Sequence, residues 1–440
     1  MKKIKQFSPI FLIAALILTA GFMGGCAKLS IGPDGYGKTT LPNGIIVLVN
    51  QDESTSLTSA RILIGGGVLT ENSDNNGITN LMIRMLMKGN DAMNASEITE
   101  QLDFLGATFS MVCYRDYSAI SFTSLTENFD SVMEIVSRSL MSPTLPDEEL
   151  VKVKSEVEGE IKSNLDNQGQ ASNILFWKTV YGDRGYGLPV LGSMESISKI
   201  TSNDIRKHYE KYVGGKNIIV SVSTDLPAEK LMAIISSRIG GIKKEGENVT
   251  NPVLKPEPEK NGFISFDRNQ SYVFTGFVLD HLTPTEVAYI DLLDQTMGGN
   301  VGSRLWDLRQ KEKLAYEIYS QYITNKYGAI FRAGIGTDTT KVKQALESLD
   351  REWKKLMAEG ITSDELADAK INMKNSLIFS IDTKGGRANN MAFYECVGYN
   401  YRLVPELLAL ADKVTLDEIN NFVKVKLTED KIYTSIVGKK

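Results

Sequence analysis

Histidine is nearly absent from this chain. Its 440 residues include two, His208 and His281. Their separation excludes a local His-x-x-x-His or His-x-x-Glu-His metal site, which needs two imidazoles on neighbouring turns of one helix. Cysteine is scarce as well. Cys26, Cys113 and Cys396 are too few for a four-cysteine zinc site or a disulfide-rich scaffold. The apolar stretch Ile10 to Leu18 is too short to span a bilayer. What remains is an ordinary globular composition, 42% hydrophobic and 23% charged, neither disordered nor polytopic. The length suits roughly two to four domains.

The N-terminus reads as an address. Met1 to Lys5 is basic, Ile10 to Leu18 is apolar, and Gly24-Gly25-Cys26 follows. This resembles a bacterial lipoprotein signal, with Met23 where leucine is usual. It implies cleavage of residues 1–25, lipidation of Cys26, and export to the periplasmic or cell-surface side of a bacterial membrane. The other reading is an ordinary secretory signal with Cys26 incidental. Loss of residues 1–25 removes three lysines and no acid, moving the formal charge from −5 to −8. So acidic a product argues against nucleic acid and against a broad basic membrane-binding face. Attachment would come from acyl chains. Cys113 and Cys396 could pair in an oxidising compartment, but each has apolar or aromatic neighbours and reads as a small buried hydrophobe.

Residues 26–38 read as a tether. Residues 243–260, charged and with three prolines, read as a linker between a domain over 39–242 and another over 261–440. The two look like versions of one unit. In the first, Tyr117 to Phe122 reads as a strand. A helix follows with Phe129, Val132, Ile135, Val136 and Leu140 at helical spacing, and Pro146-Asp147-Glu148-Glu149-Leu150 opens a charged helix. In the second, Tyr327 to Phe331 is the strand and Val342 to Leu356 the helix. Ser363-Asp364-Glu365-Leu366 opens the charged helix, with Ser363 as N-cap. The fold class is therefore α+β: two tandem homologous domains, each a sheet with helices packed on one face.

Ile62 to Gly65 reads as a strand, Asn72 to Gly77 as a polar loop, and Ile78 to Lys88 as an apolar helix closed by Gly89. Read alone, this is a core helix with Asn80, Arg84 and Lys88 as polar exits. The run of strand, small-residue turn, Glu71, loop, apolar helix and Lys88-Gly89 resembles the active-site segment of the insulinase-like (pitrilysin-type) zinc metallopeptidases. In that family the helix carries His-x-x-Glu-His, two zinc ligands flanking the general base. Those three positions fall here on Asn80, Ile83 and Arg84. The family's third ligand falls on Glu160, 76 residues after Arg84, and a frequent supporting carboxylate falls on Val153. One acid of the set is kept, and the resemblance suggests that Arg84 pairs with it in the metal's place. The plainer reading leaves Glu160 as one acid on a solvated helix face.

A second segment, Gly298-Gly299-Asn300-Val301-Gly302-Ser303-Arg304-Leu305 through Leu314-Ala315-Tyr316, resembles the same family's C-terminal signature. The resemblance assigns Arg309 and Tyr316 to substrate binding, as donors for a developing oxyanion across the cavity of a clamshell formed by the two domains. The plainer reading is an exposed arginine and a packing tyrosine.

A broken metal half with an intact substrate half implies a non-catalytic, lipid-anchored subunit with no cofactor and no catalytic residue of its own. Its partner would be an insulinase-like zinc peptidase that carries the zinc, and its substrate a peptide or unfolded polypeptide. A second reading is a membrane-anchored peptide-binding or assembly factor with no peptidase partner. A third, a peptidase active alone, would need ligands from His208 and His281. Both read as surface histidines, His208 on a charged helix far from the site.

Overall fold

In the computed structural model the described residues are 29–247 and 254–439. The signal segment, Cys26 and the middle of the linker lie outside them. Among these described residues, eleven strands form two sheets. The first holds β1 (Tyr36–Thr40), β2 (Ile46–Gln51), β3 (Leu57–Gly65), β4 (Thr108–Cys113), β5 (Tyr117–Leu125) and β6 (Ile218–Thr224). The second holds β7 (Asn261–Ser265), β8 (Gln270–Leu279), β9 (Glu317–Asn325), β10 (Gly328–Asp338) and β11 (Ile432–Gly438). The first half also carries α1 (Ile78–Met85), α2 (Ala95–Phe104), α3 (Phe129–Met141), α4 (Asp147–Asp166), α5 (Gln168–Tyr181), α6 (Met194–Lys199), α7 (Ser202–Tyr212) and α8 (Ala228–Ile239). The second carries α9 (Pro284–Met297), α10 (Arg304–Gln310), α11 (Val342–Glu359), α12 (Ser363–Ser380), α13 (Lys384–Cys396), α14 (Leu403–Ala411) and α15 (Leu416–Lys426).

The strand order is β1-β2-β6-β3-β5-β4 in the first sheet and β7-β11-β8-β10-β9 in the second. Without the edge strand β1 the two orders are one pattern. The parallel pair falls at the same place in each, β2 with β6 and β7 with β11. The internal duplication is thus a property of the topology, and the fold is two-domain α+β.

Side-chain alternation places a core on each side of a sheet. On β3, Ala60, Ile62 and Ile64 enter the main core of the first half, under α1, α3, α4, α7 and α8, while Leu63 points the other way. On β8, Val273, Phe277 and Leu279 enter the core of the second half, while Tyr272, Phe274 and Val278 point away from it.

Those second faces are covered reciprocally. Helix α5, from the first half, lays Phe176, Trp177, Val180 and Tyr181 against Tyr272, Phe274, Val278, Ile330 and Tyr433 of the second sheet. Helix α13, from the second half, lays Ala392 against Leu63, Tyr117 and Ala119 of the first. Lys384 at the start of α13 donates to the carbonyls of Thr55 and Leu57 at 2.7 and 2.8 Å. Each sheet therefore has its own helices on one face and a helix of the other half on the opposite face. That leaves the halves facing each other.

Three local expectations need correction. Thr362, not Ser363, caps α12: its side chain accepts from the Glu365 amide, and Ser363 is the first helical residue. The helix expected over Ile78 to Lys88 ends at Met85 with Leu86 as its C-cap, so Gly89 lies beyond the cap. Residues 29–38 are not a free tether. Ile31 bridges to Gly37, β1 begins at Tyr36, and Leu29 and Ile31 pack on the first core. The described ends of the linker are also tied down. The Gly215 amide donates to the Lys243 carbonyl and the Glu257 amide to the Val180 carbonyl. Cys113 and Cys396 are unpaired thiols, Cys113 in the first core and Cys396 packed beside Leu63 and Tyr117.

Candidate functional site

Helix α1 is held at its N-terminus by a buried carboxylate. Gly77, at φ 95°, makes the left-handed turn into the helix, where a Cβ would meet Ile197 and the Leu191 carbonyl within 3 Å. Glu71 accepts from the Gly77 amide at 2.8 Å, the Thr79 amide at 2.9 Å and Asn76 Nδ2 at 2.8 Å. A carboxylate at a helix N-terminus satisfies otherwise orphaned amides. Burial pushes Glu71 up to about 7 against the lowering effect of these donors.

The helix held in this way presents Asn80 and Arg84 one turn apart. Arg84 Nε donates to Asn80 Oδ1 at 3.2 Å. The other two guanidinium nitrogens donate to the two oxygens of Glu160 on α4, both at 2.7 Å. The fork-to-fork geometry is the strong form of an arginine–carboxylate pair. Ile83 points into the core and is fully buried, as is Val153 on the facing side of α4. This donor set does not fit zinc. An amide, an alkyl group and a fixed cation stand where two imidazoles and a carboxylate would be needed, and both Glu160 oxygens are engaged. Among the described residues no cluster of three His, Cys, Asp or Glu side chains could hold a metal ion.

The Arg84 side chain is 21% exposed and that of Glu160 45%, so solvent screens the pair. A double-mutant cycle with Arg84→Met and Glu160→Gln, followed by urea unfolding, is expected to give a coupling of about 1 kcal/mol. A coupling near zero would mean that the pair holds nothing in place.

His208 departs from expectation. It is 6% exposed, not a surface residue, and it is not remote from α1. Its Nε2 lies 3.0 Å from Thr79 Oγ1 and 3.4 Å from Thr70 Oγ1, and its ring packs at a tilt 4.6 Å from that of Tyr212. Ile205 and His208, three apart, form the inward face of the otherwise charged helix α7. Burial pushes the imidazole down from 6.5 to about 4, so it is neutral in the folded chain. The unfolded chain then binds the extra proton between these values, and stability falls as the pH drops from 6.5 to 4. In urea titrations His208→Gln should lose less stability over that interval than the parent, by on the order of 2 kcal/mol. Identical pH profiles would contradict the buried neutral state. His281 is exposed as expected, stacked on Tyr399 with Nδ1 3.2 Å from the Asn325 carbonyl.

Arg309 and Tyr316 lie on a segment pinned from both sides. Arg304 at the start of α10 holds Glu365 of α12 with two bonds of 2.6 and 2.8 Å and also donates to the Gly360 carbonyl. Glu312 accepts from Ser348 Oγ at 2.7 Å on α11. Helix α10 ends at Gln310 and Lys313 turns the chain at φ 55°, so Arg309 and Tyr316 are not on one continuous helix. Arg309 is exposed and stacks 5.0 Å over Trp306; Tyr316 is 67% exposed, its amide bonded to the Gly336 carbonyl. Neither side chain has a carboxylate partner or a core contact among the described residues. Both are free to meet something else.

Between the halves lies a cavity of about 830 Å³, walled by the β4–β5 turn, α5, β8, β9, β10 and α13. Its lining includes Glu317, the residue after Tyr316, but not Tyr316, Arg309, Arg84 or Glu160. The cavity's charged groups, Arg115, Asp116, Glu317 and Arg332, escaped the sequence reading. A lone arginine in the apolar run Ala329-Ile330-Phe331-Arg332-Ala333-Gly334-Ile335 was the available signal.

Two family models cover most of the chain. "Insulinase (Peptidase family M16)" matches residues 46–193 and "Peptidase M16 inactive domain" matches 199–373. A relative from Bacillus subtilis, the "Uncharacterized zinc protease YmxG", is 23% identical over 89% of this chain and 95% of its own. A solved structure described as a peptidase M16 inactive domain from Pseudomonas fluorescens superposes with a TM-score of 0.85 at 19% identity, covering 92% of this chain and 98% of that one. A chain of complex III2 from Candida albicans has the same fold, with a TM-score of 0.77 at 15% identity over 91% of this chain and 95% of that one.

Proposed function

This chain belongs to the insulinase (M16) peptidase family, and we propose that within it the protein is the non-catalytic subunit of a heterodimeric zinc metalloendopeptidase. The observation that carries this reading is the Arg84–Glu160 fork. A guanidinium with both carboxylate oxygens engaged fills the position of the zinc ligands, so the chain's own helix cannot activate water through a metal. Zinc and the general base belong to the partner. This chain supplies Arg309, an exposed cation stacked on Trp306, and Tyr316, an exposed phenol, as donors to the peptide carbonyl in the partner's site. The complex III2 neighbour supports the reading to the extent that a chain of this fold sits in a multi-subunit assembly. Lipidated Cys26 anchors the subunit to a membrane on the exported side.

One observation favours a second reading, a membrane-anchored peptide-binding or assembly factor. Arg309 and Tyr316 do not line the cavity between the halves, so a peptide held there would not meet them. Co-purification from membranes, followed by a peptidase assay with and without this subunit, separates the two. Recovery of a zinc peptidase whose activity rises several-fold on adding this chain supports the heterodimer. Recovery without any such peptidase supports the binding factor.

A further inference from the structure

Between Gly328 and Gly336, strand β10 carries a single charged residue, Arg332. It points to the same side as Ile330, toward α5, and is 3% exposed. Gly276 faces it on β8; a Cβ there would come within 2.5 Å of Arg332 backbone and side-chain atoms, so the arginine's place depends on that glycine. The guanidinium lies 4.0 Å from the Phe274 ring and 5.0 Å from Phe176. Nη2 donates to Asn173 Oδ1 at 2.7 Å and to Gln321 Oε1 at 3.3 Å. Nε and Nη1 have no partner, and no carboxylate pairs with this charge among the described residues. A buried guanidinium without a counter-ion is costly to keep, and aromatic faces offset only part of that cost.

A second guanidinium lines the same cavity. Arg115, in the β4–β5 turn, sits 3.9 Å over Trp177 and donates from Nε to the Tyr186 carbonyl at 2.9 Å. Its terminal nitrogens make no hydrogen bond to the described residues. Phe176 and Trp177 are consecutive on α5, so one helix turn sets both arginines against the cavity. The nearby acid, Asp116, acts on Arg115 through its charge but makes no salt bridge with either guanidinium among the described residues. Asp116 is committed to the Tyr186 hydroxyl, to Asn325 Nδ2 at 2.9 Å and to the Lys326 amide at 3.1 Å. Glu317 is exposed. Burial, with the charge of Arg332 added, pushes Arg115 down to about 9, and burial pushes Arg332 down to about 10, so both remain cationic at neutral pH.

We propose that the cavity between the halves is a carboxylate-recognition subsite, in which Arg115 and Arg332 receive an acidic group of an enclosed peptide, its C-terminus or an Asp or Glu side chain. This rests on the reading above that the protein handles peptides, and it adds the chemistry that the peptide must carry. The volume holds a few residues. Gln168, Gln170, Asn173 and Gln321, with Tyr272 and Tyr319, supply amides and hydroxyls for the peptide backbone around the charge.

The test uses the full chain without any partner, so its outcome does not depend on reconstituting a peptidase. Three versions of one hexapeptide are titrated by calorimetry: C-terminal acid with no acidic side chain, the same peptide amidated, and an amidated peptide with one glutamate. Trp177 emission gives a second readout, because that ring stacks on Arg115. At least one charged version should bind about tenfold tighter or more than the neutral amide, and which one does so identifies the source of the carboxylate. Arg332→Gln and Arg115→Gln should each abolish that preference, so that on either variant the charged peptide binds no tighter than the neutral amide. If Arg332→Gln fails to fold, Arg115→Gln and the charge-retaining Arg115→Lys carry the comparison. Equal affinity for charged and neutral peptides, or a preference that survives the substitutions, overturns the proposal. So does inorganic phosphate or acetate binding as tightly as the acid peptide, which would make this a free-anion site. Tight binding of acid peptide by a chain that never stimulates a zinc peptidase would keep this subsite and reject the heterodimer.

Discussion

Arg309→Ala is expected to lower the kcat of a reconstituted complex with an intact zinc subunit by about 100-fold, the usual effect of removing one oxyanion donor. Tyr316→Phe, which removes only the hydroxyl, should lower it in the same direction while the complex stays together on gel filtration. The expectation follows from where the side chains are. Both are exposed, and the fold of the segment is held by other groups: Arg304 on Glu365, Glu312 on Ser348, and the Tyr316 backbone amide on Gly336. Neither substitution opens a cavity or strands a buried charge, so thermal melting should be unchanged. A loss of activity with unchanged melting and unchanged association can then be assigned to the carbonyl contact. Unchanged activity in both variants would show that the segment is a structural inheritance with no role at a partner's site.

The second large effect concerns the metal. The double variant Asn80→His, Arg84→His should bind about one zinc per chain, because Glu160 already stands within hydrogen-bonding distance of the side chain at 84, and Asn80 and Arg84 share one helix face. Two imidazoles at i and i+4 with that carboxylate make a three-ligand site, leaving a fourth position for water. Adding Glu160→Gln should weaken the binding at least tenfold, as expected for loss of a ligand. Peptidase activity is not expected, since Ile83 still occupies the general-base position and is buried in the core. Failure of the double variant to bind zinc would mean that α1 and α4 do not hold the geometry that the family's metal site needs.

Much of this was legible in the chain, because it depends on local patterns. Strand β5, helices α3 and α11 and the opening of α4 follow from side-chain periodicity. The duplication could be read from two runs of one order, and the vacated ligand positions from a family resemblance anchored on Gly77 and Lys88-Gly89. The Arg84–Glu160 contact was guessable because an arginine and an acid fall on positions that the family's zinc site requires to be close. What could not be read was long-range. Nothing in the apolar face of α5 says that it packs on the second sheet, since periodicity marks a buried face without naming what buries it. His208 was misread for the same reason. Its neighbours Arg206, Lys207 and Glu210 are exposed, and a mostly charged helix conceals a narrow inward stripe. The arginines of the cavity were missed because strand reading treats one charge in an apolar run as noise. On a strand buried on both faces, such a charge must meet something.

We propose that this chain lacks a metal site of its own and serves a chain that carries one. Metal analysis of the purified wild-type protein, paired with a peptidase assay on the protein alone, tests it most directly. Zinc far below one equivalent per chain and no chelator-sensitive cleavage are expected. One tightly held zinc per chain, with cleavage that a chelator abolishes in the absence of any partner, would contradict it.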